Sequence, residues 1–145
     1  MSVVSSREHP SAATAAAGED EAALEIILDA AHDPDLAPDI FRQRLVIEGT
    51  CRRPIAGTDI ADYLERLSDV CGMHPLIEPV THRSEKYGWA GWIHWETSGA
   101  HVYAWDRPTL FFSVDIYTCK AFDAPDAVRF TEEFFDAPEI VARAF

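Results

Sequence analysis

A chain of 145 residues is the size of one domain, which makes a single core, with one site per chain or per chain pair, the default. Hydrophobic residues make up 48% of it and four are tryptophan, so wholesale disorder is excluded. Asp and Glu number 25 against 12 Lys and Arg, a net charge of −13 that repels phosphate backbones and anionic membranes, makes nucleic acid and membrane poor partners, and steers small cationic molecules toward the surface, although acidity of this size is also an ordinary solubility device.

In chain order, residues 1–20 are rich in Ser, Ala and Gly without a sustained apolar period, which predicts a flexible tail. Leu24, Ile27, Leu28 and Ala31 then share one helical face, predicting an amphipathic helix over 21–31 that Asp33-Pro34 ends. Residues 21–145 are expected to form one domain with its core in 41–145. A strand is predicted over 41–51. A helix over 59–71 follows, with Ile60, Tyr63, Leu64 and Leu67 at helical spacing and Gly72 as its stop. Strands are predicted at 75–81, 90–96, 100–105 and 110–119, then a helix over 125–135 and a last strand over 139–145. This order predicts an α+β fold, a largely antiparallel sheet with helices on one face. The other face is left to be covered, by a homodimer partner in the simplest arrangement.

Cys51, Cys71 and Cys119 are odd in number, widely spaced and without a C-x-x-C pair, so neither a disulfide framework nor a metal site is expected. No basic start leads into an apolar run, and no stretch approaches the roughly 20 apolar residues of a membrane span. The cytoplasm is the expected location.

The densest constellation runs from Gly88 to Trp105, where two strand-like stretches flank a Thr97-Ser98-Gly99 connection. Strand alternation beyond it predicts His101, Tyr103 and Trp105 on one face and Ala100, Val102 and Ala104 on the other.

Residues 41–51 resemble the opening strand of bacterial S-adenosylmethionine decarboxylases, "H-L-I-I-D-x-x-G-C". Gly88 to Trp105 is similar, without a gap, to that family's "G-V-S-G-V-V-x-I-x-E-S-H-I-x-I-H-T-W", and Val114 to Cys119 resembles "V-D-I-F-T-C". The resemblance implies half of an αββα sandwich and a lyase whose backbone cleaves itself before a serine. That serine becomes a pyruvoyl group, the electron sink for decarboxylation in polyamine or more specialised biosynthesis. Ser98 stands at the serine's position, so the implied cleavage is at Thr97–Ser98, by attack of the hydroxyl on the Thr97 carbonyl. Cys119 stands at the position of the family's proton-donating cysteine.

Several positions depart from the family. Its processing histidine corresponds to Tyr103 and its assisting serine to Ala90; the "S-H" pair is Ser98-Gly99, and the residue before the serine is Thr97. Tyrosine, with an unperturbed pKa of about 10, is a weaker base at neutral pH than histidine at about 6.5, so His101 on the same face is the substitute candidate. The family's ribose-holding glutamate corresponds to Asp106. The expected set is therefore Ser98, Cys119, His101 and Tyr103 for chemistry, with Glu96, Trp105, Asp106 and Asp115 for substrate.

Bland readings compete with these. Ser98 is either a turn residue or the nucleophile, and Cys119 either a buried core thiol or the proton donor; Glu48 and Asp115 are either structural ion pairs or cation receivers. His94 and His101 are either ordinary strand residues or bases, and the four tryptophans are core, interface or stacking surfaces. Three functions follow: a self-cleaving decarboxylase of S-adenosylmethionine or a related amino acid, an unprocessed paralogue with repurposed acid–base chemistry, or an inactive partner subunit.

Overall fold

Alternation of apolar residues builds the sheet from its middle. In the computed structural model, which describes residues 34–145, strand β1 (Gln43–Thr50) buries Leu45, Ile47 and Gly49 and turns Arg44, Val46, Glu48 and Thr50 the other way. It pairs antiparallel with β5 (Phe111–Thr118), where Phe112, Val114, Ile116 and Thr118 are buried in the same alternation. Between them in sequence lie β2 (Val80–Ser84), β3 (Gly88–Trp95) and β4 (Ser98–Trp105), and β6 (Ile140–Ala144) closes the chain. The six strands form one antiparallel sheet of order β2-β3-β4-β5-β1-β6, within the unit Pro38–Phe145. The predicted order of elements and the α+β class are both found. The tail and helix expected over 1–31 lie outside the described residues.

Helix α1 (Gly57–Cys71) buries Ile60, Tyr63, Leu64, Leu67, Ser68 and Cys71, one stripe of a 3.6-residue period. Its first turn is held by the Asp59 carboxylate, which accepts the Ala56 N–H at 2.9 Å and pairs with Arg53 at 3.1 Å; that guanidinium holds the Asp59 carboxyl below its usual range. Gly72 ends the helix in the left-handed conformation, φ 64°. Helix α2 (Ala124–Phe135) is capped by Asp123, whose carboxylate accepts the Asp126 N–H at 2.8 Å, and buries Ala127, Thr131 and Phe135. Both helices pack on the same sheet face; the buried Tyr63 hydroxyl meets Thr131 Oγ1 at 2.8 Å and its ring stacks on Phe130.

One strand sits later than its pattern predicted. The segment 75–79 makes a single bridge, Pro75 to Trp95, and the ladder with β3 starts at Val80. Pro75 and Pro79 have no N–H to give, so pairing begins only once the second proline is passed, in the polar stretch Thr81-His82-Arg83-Ser84.

Candidate active site on the open sheet face

The face opposite the helices carries the polar side chains. On β4, Ala100, Val102 and Ala104 are buried against the core while His101 and Tyr103 are exposed on the other side with Trp105 half-buried, as alternation predicts. Their rings form a ladder across three strands. Trp92 stacks on His101 at 6.2 Å between centroids, His101 on Tyr103 at 6.0 Å, Tyr103 leans on Trp105 at 6.2 Å, and Trp105 meets Phe111 at 5.3 Å. The four tryptophans divide: Trp95 is fully buried and Trp89 packs on the core, while Trp92 and Trp105 belong to the open face.

A cleft of about 480 Å³ opens on this face between Trp92, His94, Ser98, His101, Asp115 and Tyr117. Ser98 is not in the turn. The β3–β4 connection is the two residues Glu96-Thr97, and Ser98 is already paired with Trp95 on one side and Thr118 on the other. Its φ of 113° lies in the region that only glycine enters freely, so the strand starts with a strained residue. Gly99 follows with ordinary φ but no room: a Cβ there would lie 2.4 Å from the Ile93 carbonyl oxygen. A histidine at this position, as in the resembled motif, does not fit this backbone.

The Thr97 carbonyl, which an attack by Ser98 would have to reach, accepts the backbone N–H of Cys119 at 3.0 Å. One fixed donor thus already points at the oxygen where negative charge would develop. Cys119 itself lies just past β5 and is exposed, so the buried-core reading of this thiol is replaced by an accessible one. Cys51 and Cys71 are buried, and burial raises both thiols, Cys71 up to about 12. Iodoacetamide at neutral pH is therefore expected to label Cys119 alone in the native protein and all three cysteines after denaturation, read by peptide mass; labelling of Cys71 in the native state would contradict this burial.

The remaining candidates are spread out. Tyr103 pairs with Ala90 across the ladder, five residues down β4 from Ser98 and about 17 Å away at strand rise. Both line a second cleft with Trp105, not the first. His94 and His101 are the imidazoles that share the Ser98 cleft. Asp115 lines it too but is held by Arg44 in a two-bond clamp, 3.0 and 2.8 Å, and Arg44 in turn lies over the Phe145 ring at 5.4 Å. That pairing raises the Arg44 pKa. Glu48 pairs with Arg143 at 3.8 Å. Glu96 is exposed in the turn, and Asp106 follows β4 and accepts from Arg107 at 3.3 Å; neither lines the Ser98 cleft. Tyr117 lines the cleft and Arg44 stands beside Tyr117 in the sheet; sequence reasoning passed over both, because only the β4–β5 and β1–β5 registers bring them there. Among the described residues no group of three His, Cys, Asp or Glu is set to hold a metal ion, and no helix is long and apolar enough to cross a membrane.

The family model described as S-adenosylmethionine decarboxylase matches residues 56–145. No curated protein matches the chain. Among solved structures, the adenosylmethionine decarboxylase from Aquifex aeolicus VF5 is similar with a TM-score of 0.61 and 14% identity, over 73% of this chain and 89% of that one. At that identity the likeness is one of fold.

Proposed function

Because the chain belongs to the S-adenosylmethionine decarboxylase family, we propose that it is a self-cleaving decarboxylase of S-adenosylmethionine or a related amino acid, with its reaction centre made at Thr97–Ser98. The observation that carries this reading is the strained Ser98 next to a carbonyl already held by the Cys119 amide. A hydroxyl and a polarised acyl group at one peptide bond are what the pyruvoyl group needs in order to form, so these residues fit it. Attack of Ser98 Oγ on the Thr97 carbonyl carbon exchanges the amide for an ester. The Cys119 N–H holds the oxyanion, and His94 or His101 takes the hydroxyl proton. Elimination then frees Thr97 as a carboxylate, and hydrolysis of the dehydroalanine end releases ammonia and leaves the pyruvoyl cap. When present, the group supplies an electron sink for the carbon that loses carbon dioxide.

The chain's own residues do the rest. Trp92 and His101 offer flat surfaces beside the cleft, and the exposed Cys119 thiol is the candidate proton donor to the decarboxylated carbon. Arg44 neutralises Asp115, so the clamp orients the cleft wall instead of presenting a free carboxylate to the substrate. The uncovered face with its exposed Tyr103 and Tyr117 supports a homodimer as the assembly, and cysteines free of disulfides support the cytoplasm as its place.

Intact mass under denaturing conditions tests the reading. Two fragments, the second beginning at a blocked residue 98, are expected. A single full-length mass would overturn it and favour the second reading, an unprocessed enzyme using His94 and His101; Ala90 and Tyr103, which occupy the helper positions, support that alternative. An inactive partner subunit would in addition lack any turnover.

A further inference from the structure

We infer that Arg44 is a positioning residue for the Ser98 cleft: by occupying both carboxylate oxygens of Asp115 it keeps the His101 imidazole neutral, the form that can take the Ser98 proton. The control of His101 stands by itself, whereas its use in cleavage rests on the decarboxylase reading.

Sheet register brings the three groups together. His101 and Asp115 are direct cross-strand partners on β4 and β5, and both line the cleft. Partners so placed have Cβ atoms about 4.5–5.5 Å apart, a range at which a carboxylate stabilises an imidazolium. An Asp115 without its own cation would therefore raise the His101 pKa and leave less free base at neutral pH. Arg44 prevents this. It stands opposite Tyr117 on β1 and reaches diagonally to Asp115, with Nε on one oxygen at 3.0 Å and Nη2 on the other at 2.8 Å. Such a fork balances the carboxylate's charge and fixes its orientation.

Both ends of the arrangement are braced. The Phe145 N–H donates to the Arg44 carbonyl at 3.1 Å, and the Phe145 ring lies 5.4 Å from the guanidinium carbon. His101 is flanked by the rings of Trp92 at 6.2 Å and Tyr103 at 6.0 Å. The titratable and charged groups that face it are His94 from β3, Asp115 and Tyr117 from β5, Tyr103 from its own strand and Arg44 from β1, so Asp115 is the carboxylate that decides its charge. The Asp115 side chain keeps 32% of its surface exposed, and solvent holds the expected effect to about one pH unit instead of the several of a buried pair.

Two readouts test this. The first is the titration of the His101 ring protons by nuclear magnetic resonance in full chains carrying Ser98→Ala, all of them uncleaved. The second is the pH profile of fragment formation in freshly translated chains that keep Ser98. Arg44→Gln is expected to raise the His101 midpoint by about one pH unit and to move the acid limb of the cleavage profile up by the same amount, leaving the rate at high pH unchanged. Adding Asp115→Asn is expected to return both midpoints to the parent values, a rescue that general loosening of the sheet would not give. Arg44→Lys, which keeps the charge without the fork, should give a smaller shift in the same direction and decides the matter where the glutamine variant does not fold. A His101 midpoint that stays in place in these variants, or that the second substitution fails to restore, would overturn the inference. So would a cleavage limb that does not follow the imidazole, since His94 would then be the base. Full-length mass in every Ser98 chain, with the His101 shifts as expected, would sink the decarboxylase reading and leave the control of His101 by Arg44 supported.

Discussion

Ser98→Ala protein is expected to run as one full-length mass and to release no carbon dioxide from S-adenosylmethionine or a related amino acid, while unfolding within about 0.5 kcal/mol of the uncleaved parent chain. The stability term follows from the backbone. Alanine at φ 113° meets the same Cβ conflict as serine, so the strain stays and only a hydroxyl is lost. Ser98→Gly separates the two effects. Glycine relieves the conflict, and that variant should gain part of the roughly 1–3 kcal/mol such a conformation stores, yet be equally unable to cleave. A chain more stable and inert with glycine, against one less stable and self-cleaving with serine, is what a strained nucleophile predicts. Cleavage that continues before residue 98 in either variant, or decarboxylation that survives the loss of the hydroxyl, would remove Ser98 from the chemistry.

The location of that strain shows where sequence reading stops. Thr97-Ser98-Gly99 reads as a short connection between two strands, and an unusual φ is ordinarily a glycine's. In the fold the turn is one residue earlier and the serine takes it, because Gly99 is needed for a different reason: the Ile93 carbonyl lies where its Cβ would be. That contact comes from the neighbouring strand and has no local signature. The face assignment of β4, in contrast, was fully legible, since Ala100, Val102 and Ala104 alternate with His101, Tyr103 and Trp105 and the two sets differ in size and polarity. β2 was legible only in existence, because an edge strand with one exposed side carries polar residues that dilute its period. The Arg44–Asp115 clamp and the Cys119 amide on the Thr97 carbonyl depend on registers between distant segments, 71 residues apart in the first case. Strand propensity says nothing about which residues will face each other at that range.

Trp95→Ala is expected to cost about 3–5 kcal/mol in urea denaturation, a large part of the 5–15 kcal/mol that holds an average domain folded. Trp95 has no exposed surface, so truncation opens a cavity between the sheet and α1 that the surrounding core cannot fully close. It also removes a hydrogen bond. The indole Nε1–H donates to Ser68 Oγ at 2.8 Å, and Ser68, buried in α1, donates in turn to the Leu64 carbonyl at 2.8 Å. Trp95→Phe keeps most of the volume and leaves the Ser68 oxygen without its donor, so it should cost about 1–3 kcal/mol. The consequence reaches the candidate site, because Trp95 is the cross-strand partner of Ser98 and anchors the hairpin to the helix layer. If the strain at Ser98 is held in place by this anchor, the phenylalanine variant, still folded, should cleave at Thr97–Ser98 more slowly than the parent chain in a time course of intact mass. A Trp95→Ala protein within about 1 kcal/mol of the native chain would mean that the hairpin is held by its ladder alone. The strain at residue 98 would then need another source of support.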